Sequence, residues 1–278
     1  MPDRELFARG ICCPGDLLMY GMVEVPTPEV KNGVAVIDAK DMHYSILNAS
    51  MKKAYEEGAR KIILNNVLGQ RFIAAGFQYK DLIIEINGVA GNDLGVFMNG
   101  PRIIVNGNAQ DGVANTMNGG VIVVKGHAGD VLGYGMRGGK LFVEKDVGYR
   151  VGIHMKAYKD MVPIIVAGGT AGDFFGEYMA GGILVLLGLN RHERELIGNW
   201  VATGMHGGSI FVRGEVPAWK MGKGIGTAEP NGEEKNLLEE LVREYASYFN
   251  KDAEKILKEP FVKIYPVTHR PYGKLYAP

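Results

Sequence analysis

The residues with chemical reach in this sequence are two thiols, six histidines and a set of evenly spaced acids. Cys12 and Cys13 are adjacent and have no other thiol to partner them. A thiol nucleophile using Cys12 or Cys13 with His43 or another histidine is one chemistry they allow. Neither thiol stands next to a recognisable base or a helix start, which is where a lowered pKa would arise. An amidotransferase of the N-terminal-nucleophile type needs its Cys at the chain start, and Pro2 stands there. Two thiols are also too few for an iron-sulfur cluster or a four-cysteine zinc site.

Three further patterns invite a ligand. Gly133-Tyr-Gly-Met-Arg-Gly138 matches the dinucleotide fingerprint letter by letter, but that motif works only where a strand enters the turn and a helix leaves it. No helix-forming stretch comes next, so the glycines read as corner residues. Asn92, Asp111, Asp130, Tyr149 and Asp173 recur at one position of a repeat. A stack of carboxylates suggests calcium, yet hard cations need six or more oxygens close together, and Asp and Asn also form turns by bonding nearby backbone. The turn reading is favoured, and no Arg or Lys ladder accompanies the acids as a polysaccharide-cleaving cleft would require. His127, His154 and His206 fall at three different repeat positions, so they form no ladder and no metal site is assigned.

The element that must position all of these is the repeat itself. Residues 81–99, 100–118, 119–137, 138–156 and 162–180 align as rows of 19 (100 − 81 = 119 − 100 = 138 − 119 = 181 − 162 = 19), broken only by an insertion at 157–161. A sixth row begins at Gly181 and, after a second insertion, reaches Met205; a seventh begins at Gly207 and fades by Val216. Rows near 20 residues are stacked units that bury their apolar sides only against neighbours. Each opens with a β-branched, aliphatic run such as Val121-Ile-Val-Val124 or Ile164-Ile-Val166, which is strand-like. The stretch after each run is too rich in Gly and Asn for a helix.

The expected fold is therefore mainly β: a single-stranded parallel β-helix of about seven coils. Positions 4 and 6 are apolar in every row, as alternation on one sheet face requires. Position 10 (Ala90, Ala109, Ala128, Val147, Ala171), position 14 (Leu94, Val113, Leu132, Val151, Phe175) and position 18 (Met98, Met117, Met136, Met155, Met179) complete five inward ladders. Position 5 should face outward, yet reads Ile104, Val123, Phe142, Val166, Val185 and Phe211 after Glu85. An apolar strip of that length needs a cover, either the chain's own ends or a partner.

Residues 1–33 read as an extended N-terminal arm. Residues 34–80 hold a helix at 46–58 that caps the open end and a degenerate first coil at Lys61. Residues 81–216 are the β-helix, and 217–278 a linker, an amphipathic helix at 233–249, a further turn or two at 252–258 and an extended apolar tail suited to covering the strip. The 31 basic and 31 acidic residues balance, which argues against nucleic acid as a partner. No apolar run approaches a membrane span, and MPDRELFARG is not a signal peptide. Cytoplasmic placement is expected from this and from the cysteine usage.

Gly107-Asn-Ala-Gln-Asp-Gly112 with Asn115-Thr-Met-Asn118, His127-Ala-Gly-Asp130 with Met136-Arg-Gly-Gly-Lys140, Gly148-Tyr-Arg-Val-Gly-Ile-His-Met-Lys156, Gly168-Gly-Thr-Ala-Gly-Asp-Phe-Phe-Gly-Glu-Tyr-Met179 and Gly204-Met-His-Gly-Gly208 resemble the GXGXG domain at the C-terminal end of the glutamate synthase large subunit. The similarity covers roughly residues 34–216. Related repeats occur in one subunit of formylmethanofuran dehydrogenase, the nearest rival. The resemblance implies a right-handed β-helix without catalytic, cofactor-binding or metal residues, the stand-alone form in a synthase divided among polypeptides. Its partners would be a glutaminase (amidotransferase) subunit and a synthase subunit carrying FMN and an iron-sulfur cluster, docked through the apolar strip to make glutamate from glutamine and 2-oxoglutarate. The alternatives are the repeat-bearing component of a formylmethanofuran dehydrogenase-type complex, a β-helix enzyme using Cys12 or Cys13, and a homo-oligomer with strips face to face.

Overall fold

The computed structural model describes residues 25–189, 191 and 193–267. In chain order these form β1 (Val30–Lys31), β2 (Val34–Asp38), α1 (Tyr44–Glu56), β3 (Lys61–Leu68), β4 (Ile83–Val89), β5 (Asn99–Asn106), β6 (Gly119–Val124), β7 (Lys140–Val143), β8 (Ile164–Ala167), β9 (Ala180–Leu186) and β10 (Gly207–Arg213). A 3-10 turn (Ala218–Lys220), β11 (Ile225–Ala228), α2 (Gly232–Phe249), α3 (Ala253–Leu257) and β12 (Phe261–Pro266) complete the order. Strands β2 to β10 pair in sequence order, each parallel to the last. The fold is the expected parallel β-helix.

Register is fixed by the 19-residue step. Ile84 pairs with Ile103, Ile103 with Ile122 and Ile122 with Leu141. Across the coil, Ala90, Ala109, Ala128, Val147 and Ala171 form a second line of parallel bridges. The position 14 and position 18 ladders are fully buried. A one-residue slip would turn every aliphatic edge outward, so the pattern admits one register.

The return corner rests on an unusual backbone run. Positions 13, 15 and 17 have positive φ in seven successive coils, from Phe72, Ala74 and Gly76 to Trp200, Ala202 and Gly204. Thirteen of these 21 residues are not glycine, including Val131 and Thr116. Each left-handed L-residue costs about 1–2 kcal/mol, so the strain persists because packing on both sides determines it. Position 15 faces the interior: a Cβ at Gly133 (φ +64°) would stand 2.4 Å from Ile165 Cδ1.

Both ends are closed by the chain itself. On α1, Leu47, Ser50, Met51 and Ala54 are buried. Its Asn48 donates to the Phe72 carbonyl and accepts from the Ala74 N–H, tying the helix to the first corner. At the far end β12 inserts antiparallel between β10 and β11. Two expectations are corrected here. The segment read as a linker supplies strand β11, because its backbone completes the edge that β12 leaves open. The tail, as far as Val267, lies in that sheet and does not cover the outer strip.

The strip is covered by α2 instead. Val123, Phe142, Val166, Val185 and Phe211 form a second core with Leu238, Leu241, Val242, Tyr245 and Phe249 of α2 and Ile256 of α3. The helix starts in a capping box between Asn231 and Glu234 and is pinned by Lys140–Glu244 at 2.5 Å and Lys251–Glu144 at 2.8 Å. Toward the first coils the cover ends: Ile104, Glu85 and Ile63 are part-exposed, and Val36, next in register, is exposed. Docking of partners through this strip is thereby overturned for most of its length: the chain's own helix occupies it.

Gly133→Val is expected to cost about 3 kcal/mol or more in urea unfolding, combining left-handed strain with overpacking. Gly135→Ala, whose Cβ would approach no atom closer than Thr116 Oγ1 at 3.7 Å, should cost about 1 kcal/mol. Equal midpoints for Gly133→Val and the parent would contradict the register.

Candidate functional site

Cys12 and Cys13 lie outside the described residues. His43, their suggested base, is the N-cap of α1, and its side chain accepts from the Ser45 N–H. The fingerprint glycines Gly133 and Gly135 lie in the corner at positive φ, and the chain continues into strand β7. Among the described residues no helix begins from that turn, so it lacks the strand-turn-helix geometry that would receive a pyrophosphate.

The position 12 ladder serves as coil-to-coil bonding. Asp111 Oδ1 accepts from the Asp130 N–H at 2.8 Å, Asp130 Oδ1 from the Tyr149 N–H at 2.9 Å, and Asp173 Oδ1 from the Asn199 N–H at 2.7 Å. Each acid thus satisfies a turn donor one coil on, the turn role read from sequence. The three histidines are dispersed. His127 Nδ1 lies 3.6 Å from Asp146, His154 is stacked on Tyr178, and His206 Nδ1 is 3.2 Å from the Gly204 carbonyl. Among the described residues no group of three or more His, Cys, Asp or Glu is arranged to hold a metal ion. None of their buried side-chain nitrogens or oxygens lacks a partner.

What the structure does assemble is a surface. On the outer side of the corner, Arg150 lies over the Phe174 ring at 4.2 Å, and Phe174 stacks on Trp200 with centroids 6.2 Å apart. Arg150 also pairs with the buried Glu177 at 2.5 Å. Four residues further round, Tyr178 stacks on His154 and Tyr134 meets His154 edge-on. Trp200 is 56% exposed and Tyr178 46%. Aromatic and Arg side chains held rigidly at a surface are the types that dominate protein interfaces. Sequence reasoning missed this face, because its residues at positions 13 and 17 vary in chemistry from coil to coil.

It also missed the seat of α2. The Tyr245 hydroxyl donates to the Glu144 carbonyl at 2.8 Å, and burial pushes its pKa well above the usual tyrosine range. A Cβ at Gly168 would fall 1.9 Å from that hydroxyl. Among Asn87, Asn106, Lys125, Glu144 and Gly168, all at position 7, only the last is glycine; that break was the available signal.

Asp146 anchors the corner beneath α2. Burial raises its carboxyl, but the Thr170 N–H and the Arg194 guanidinium outweigh burial and hold it below the ordinary aspartate range. Such a group adds stability above its unfolded pKa of about 4 that is lost as the pH falls through the lower folded value.

With the fold and its surfaces in view, the class is plain: a closed parallel β-helix whose repeating corner is built on alternate left-handed residues. The chain belongs to the GXGXG motif family, which it matches over residues 45–267. It is 49% identical over 268 residues to an uncharacterized protein of Methanocaldococcus jannaschii, an alignment covering 94% of this chain and 99% of that one. The fold is similar to that of a chain in the formyltransferase/hydrolase complex of Methylorubrum extorquens, solved with methylofuran, with a TM-score of 0.55 and 16% identity over 85% of this chain and 89% of the other. No helix among the described residues is long and apolar enough to cross a membrane.

Gly168→Ala should unseat α2: hydrogen exchange in residues 232–249 is expected to accelerate at least tenfold, and unchanged exchange would contradict the packing. Asp146→Asn should lower the melting temperature at pH 7, with the gap to the parent narrowing as the pH falls below the ordinary aspartate range; a gap that does not change with pH would show that the carboxylate charge contributes nothing.

Proposed function

We propose that this chain is the stand-alone GXGXG subunit of a divided glutamate synthase, a non-catalytic body that positions the subunits that do the chemistry. The observation that carries the reading is where the family's repeated residues sit. Positions 13, 15 and 17 set the left-handed corner and position 12 bonds one coil to the next, so the repeat is spent on shape. A rigid rod with a fixed rise per coil suits a spacer between two active centres.

In this reading the partners are a glutaminase subunit, which releases ammonia from glutamine, and a synthase subunit, which carries FMN and an iron-sulfur cluster and forms glutamate from 2-oxoglutarate. Neither cofactor is assigned to this chain in that arrangement. Because α2 occupies the outer strip, partner contact is assigned to the corner face around Arg150, Phe174, Tyr178 and Trp200. Likeness of fold to a chain of a multi-subunit formyltransferase/hydrolase complex supports an assembly role in general terms.

Co-expression with the glutaminase and synthase polypeptides of the same organism, followed by size-exclusion chromatography, tests the reading. A complex of all three is expected, with no glutaminase activity and no flavin in the lone chain. Trp200→Ala with Tyr178→Ala should weaken assembly at least tenfold while leaving the melting temperature within a few degrees. Glutamine hydrolysis by the lone chain, or co-elution with formyltransferase/hydrolase subunits alone, would overturn it.

A further inference from the structure

A cavity of about 680 Å³ opens where the end of α2 turns into α3 above the coil corners. Its floor comes from His127 and Lys145, one wall from the sixth-row insertion through Arg194, and the roof from the α2–α3 elbow. The volume is that of a small-molecule site, and most of the residues that line it are polar or charged.

Charge is concentrated here. Lys145, Arg194, Arg213, Lys251 and Lys255 line the space against Glu144, Asp146 and Asp252, a local balance of 5 − 3 = +2 in a chain of net charge zero. The three acids are already committed. Glu144 pairs with Lys251 at 2.8 Å, Asp146 pairs with Arg194 at 2.9 Å, and Asp252 caps α3 by accepting from the Lys255 N–H. Two cations are left over and a third is only loosely paired. Lys145 and Lys255 form no ion pair with any described residue. Arg213 donates to the Ile256 and Leu187 carbonyls, and its nearest carboxylate, Glu259, is 3.9 Å away.

Arg213 is also held partly out of water, with a side chain only 20% exposed. A cation in that setting is attracted more strongly to an anion than a fully hydrated one. A planar guanidinium and two exposed ammonium groups lining one cavity match a ligand with several oxygen atoms sharing negative charge. A monovalent anion would leave cations unmatched, and an apolar ligand would desolvate them without return.

We propose that this cavity binds a small organic anion carrying two or more negative charges, a phosphate ester or a polycarboxylate, held by Lys145, Lys255 and Arg213. The site lies apart from the corner aromatics and does not depend on the assembly role.

Isothermal titration of the full chain with pyrophosphate and with citrate, against sodium chloride at matched ionic strength, tests it. Saturable one-site binding of at least one probe is expected, the tighter probe assigning the phosphate or the carboxylate class. Affinity should fall at least tenfold in the Lys145→Glu/Lys255→Glu double variant and stay within twofold in Lys31→Glu, at the opposite end of the coil. Both lysines are exposed; should the charge reversal disturb folding, Lys145→Ala/Lys255→Ala carries the same expectation. No saturable binding by either probe, or equal affinity in parent and double variants, would overturn the proposal.

Discussion

A nineteen-residue coil can return to its starting edge only if the chain bends back within a few residues, and here that bend is made by alternate residues in the left-handed region. Everything else is arranged around that constraint. Position 15 must be Gly or Ala, because its Cβ points at the aliphatic ladder of position 4. Positions 13 and 17 point outward and are free to vary, although each still carries backbone strain. The strain is sustained because bonds between successive coils close on either side of it: Gly133 donates to Val113, and Gly152 to Leu132. The corner is thus a property of the stack rather than of any one row, which is why a single row has no stable form alone.

The same stacking creates an outward apolar strip, and the molecule resolves this internally. Helix α2 lays Leu238, Leu241, Val242 and Tyr245 along it, and Gly168 leaves the space that the Tyr245 hydroxyl occupies. A covered strip is a core, not an interface, so over the coils beneath α2 what remains for other molecules is polar or aromatic: the corner face with its rings and the cationic cavity at the helix elbow. A scaffold built this way has its own hydrophobic surface satisfied before any partner arrives, and recognition falls to side chains that the fold does not need.

The stack was legible in the sequence because its rules are repeated seven times. Period, strand positions, the five inward ladders and the turn role of the position 12 acids all come from residues that recur for the same physical reason. The features that were not legible depend on single events. Nothing periodic distinguishes α2 from the tail as the cover of the strip, since both are apolar on one side; Gly168 alone marked the seat. Strand β11 hid in a glycine-containing stretch because its pairing is with β12, some 38 residues on (Gly226 with Tyr265, 265 − 226 = 39; Thr227 with Ile264, 264 − 227 = 37). The aromatic face was invisible because position 13 reads Asp93, Gly112, Val131 and Arg150 before it reaches Phe174 and Trp200, so no chemical type recurs along it. The cavity was invisible because its walls come from three segments brought together only by the fold.

Sealing of the strip within one chain is the central structural claim. Hydrogen exchange of the isolated protein and of the assembled complex measures this directly, at the backbone amides of Phe142, Val166, Val185 and Phe211 and along residues 232–249. Strong protection of both regions in the isolated chain, unchanged on assembly, is the predicted result. Rapid exchange of α2 in the isolated chain, with protection gained only in the complex, would show that the strip is an interface after all.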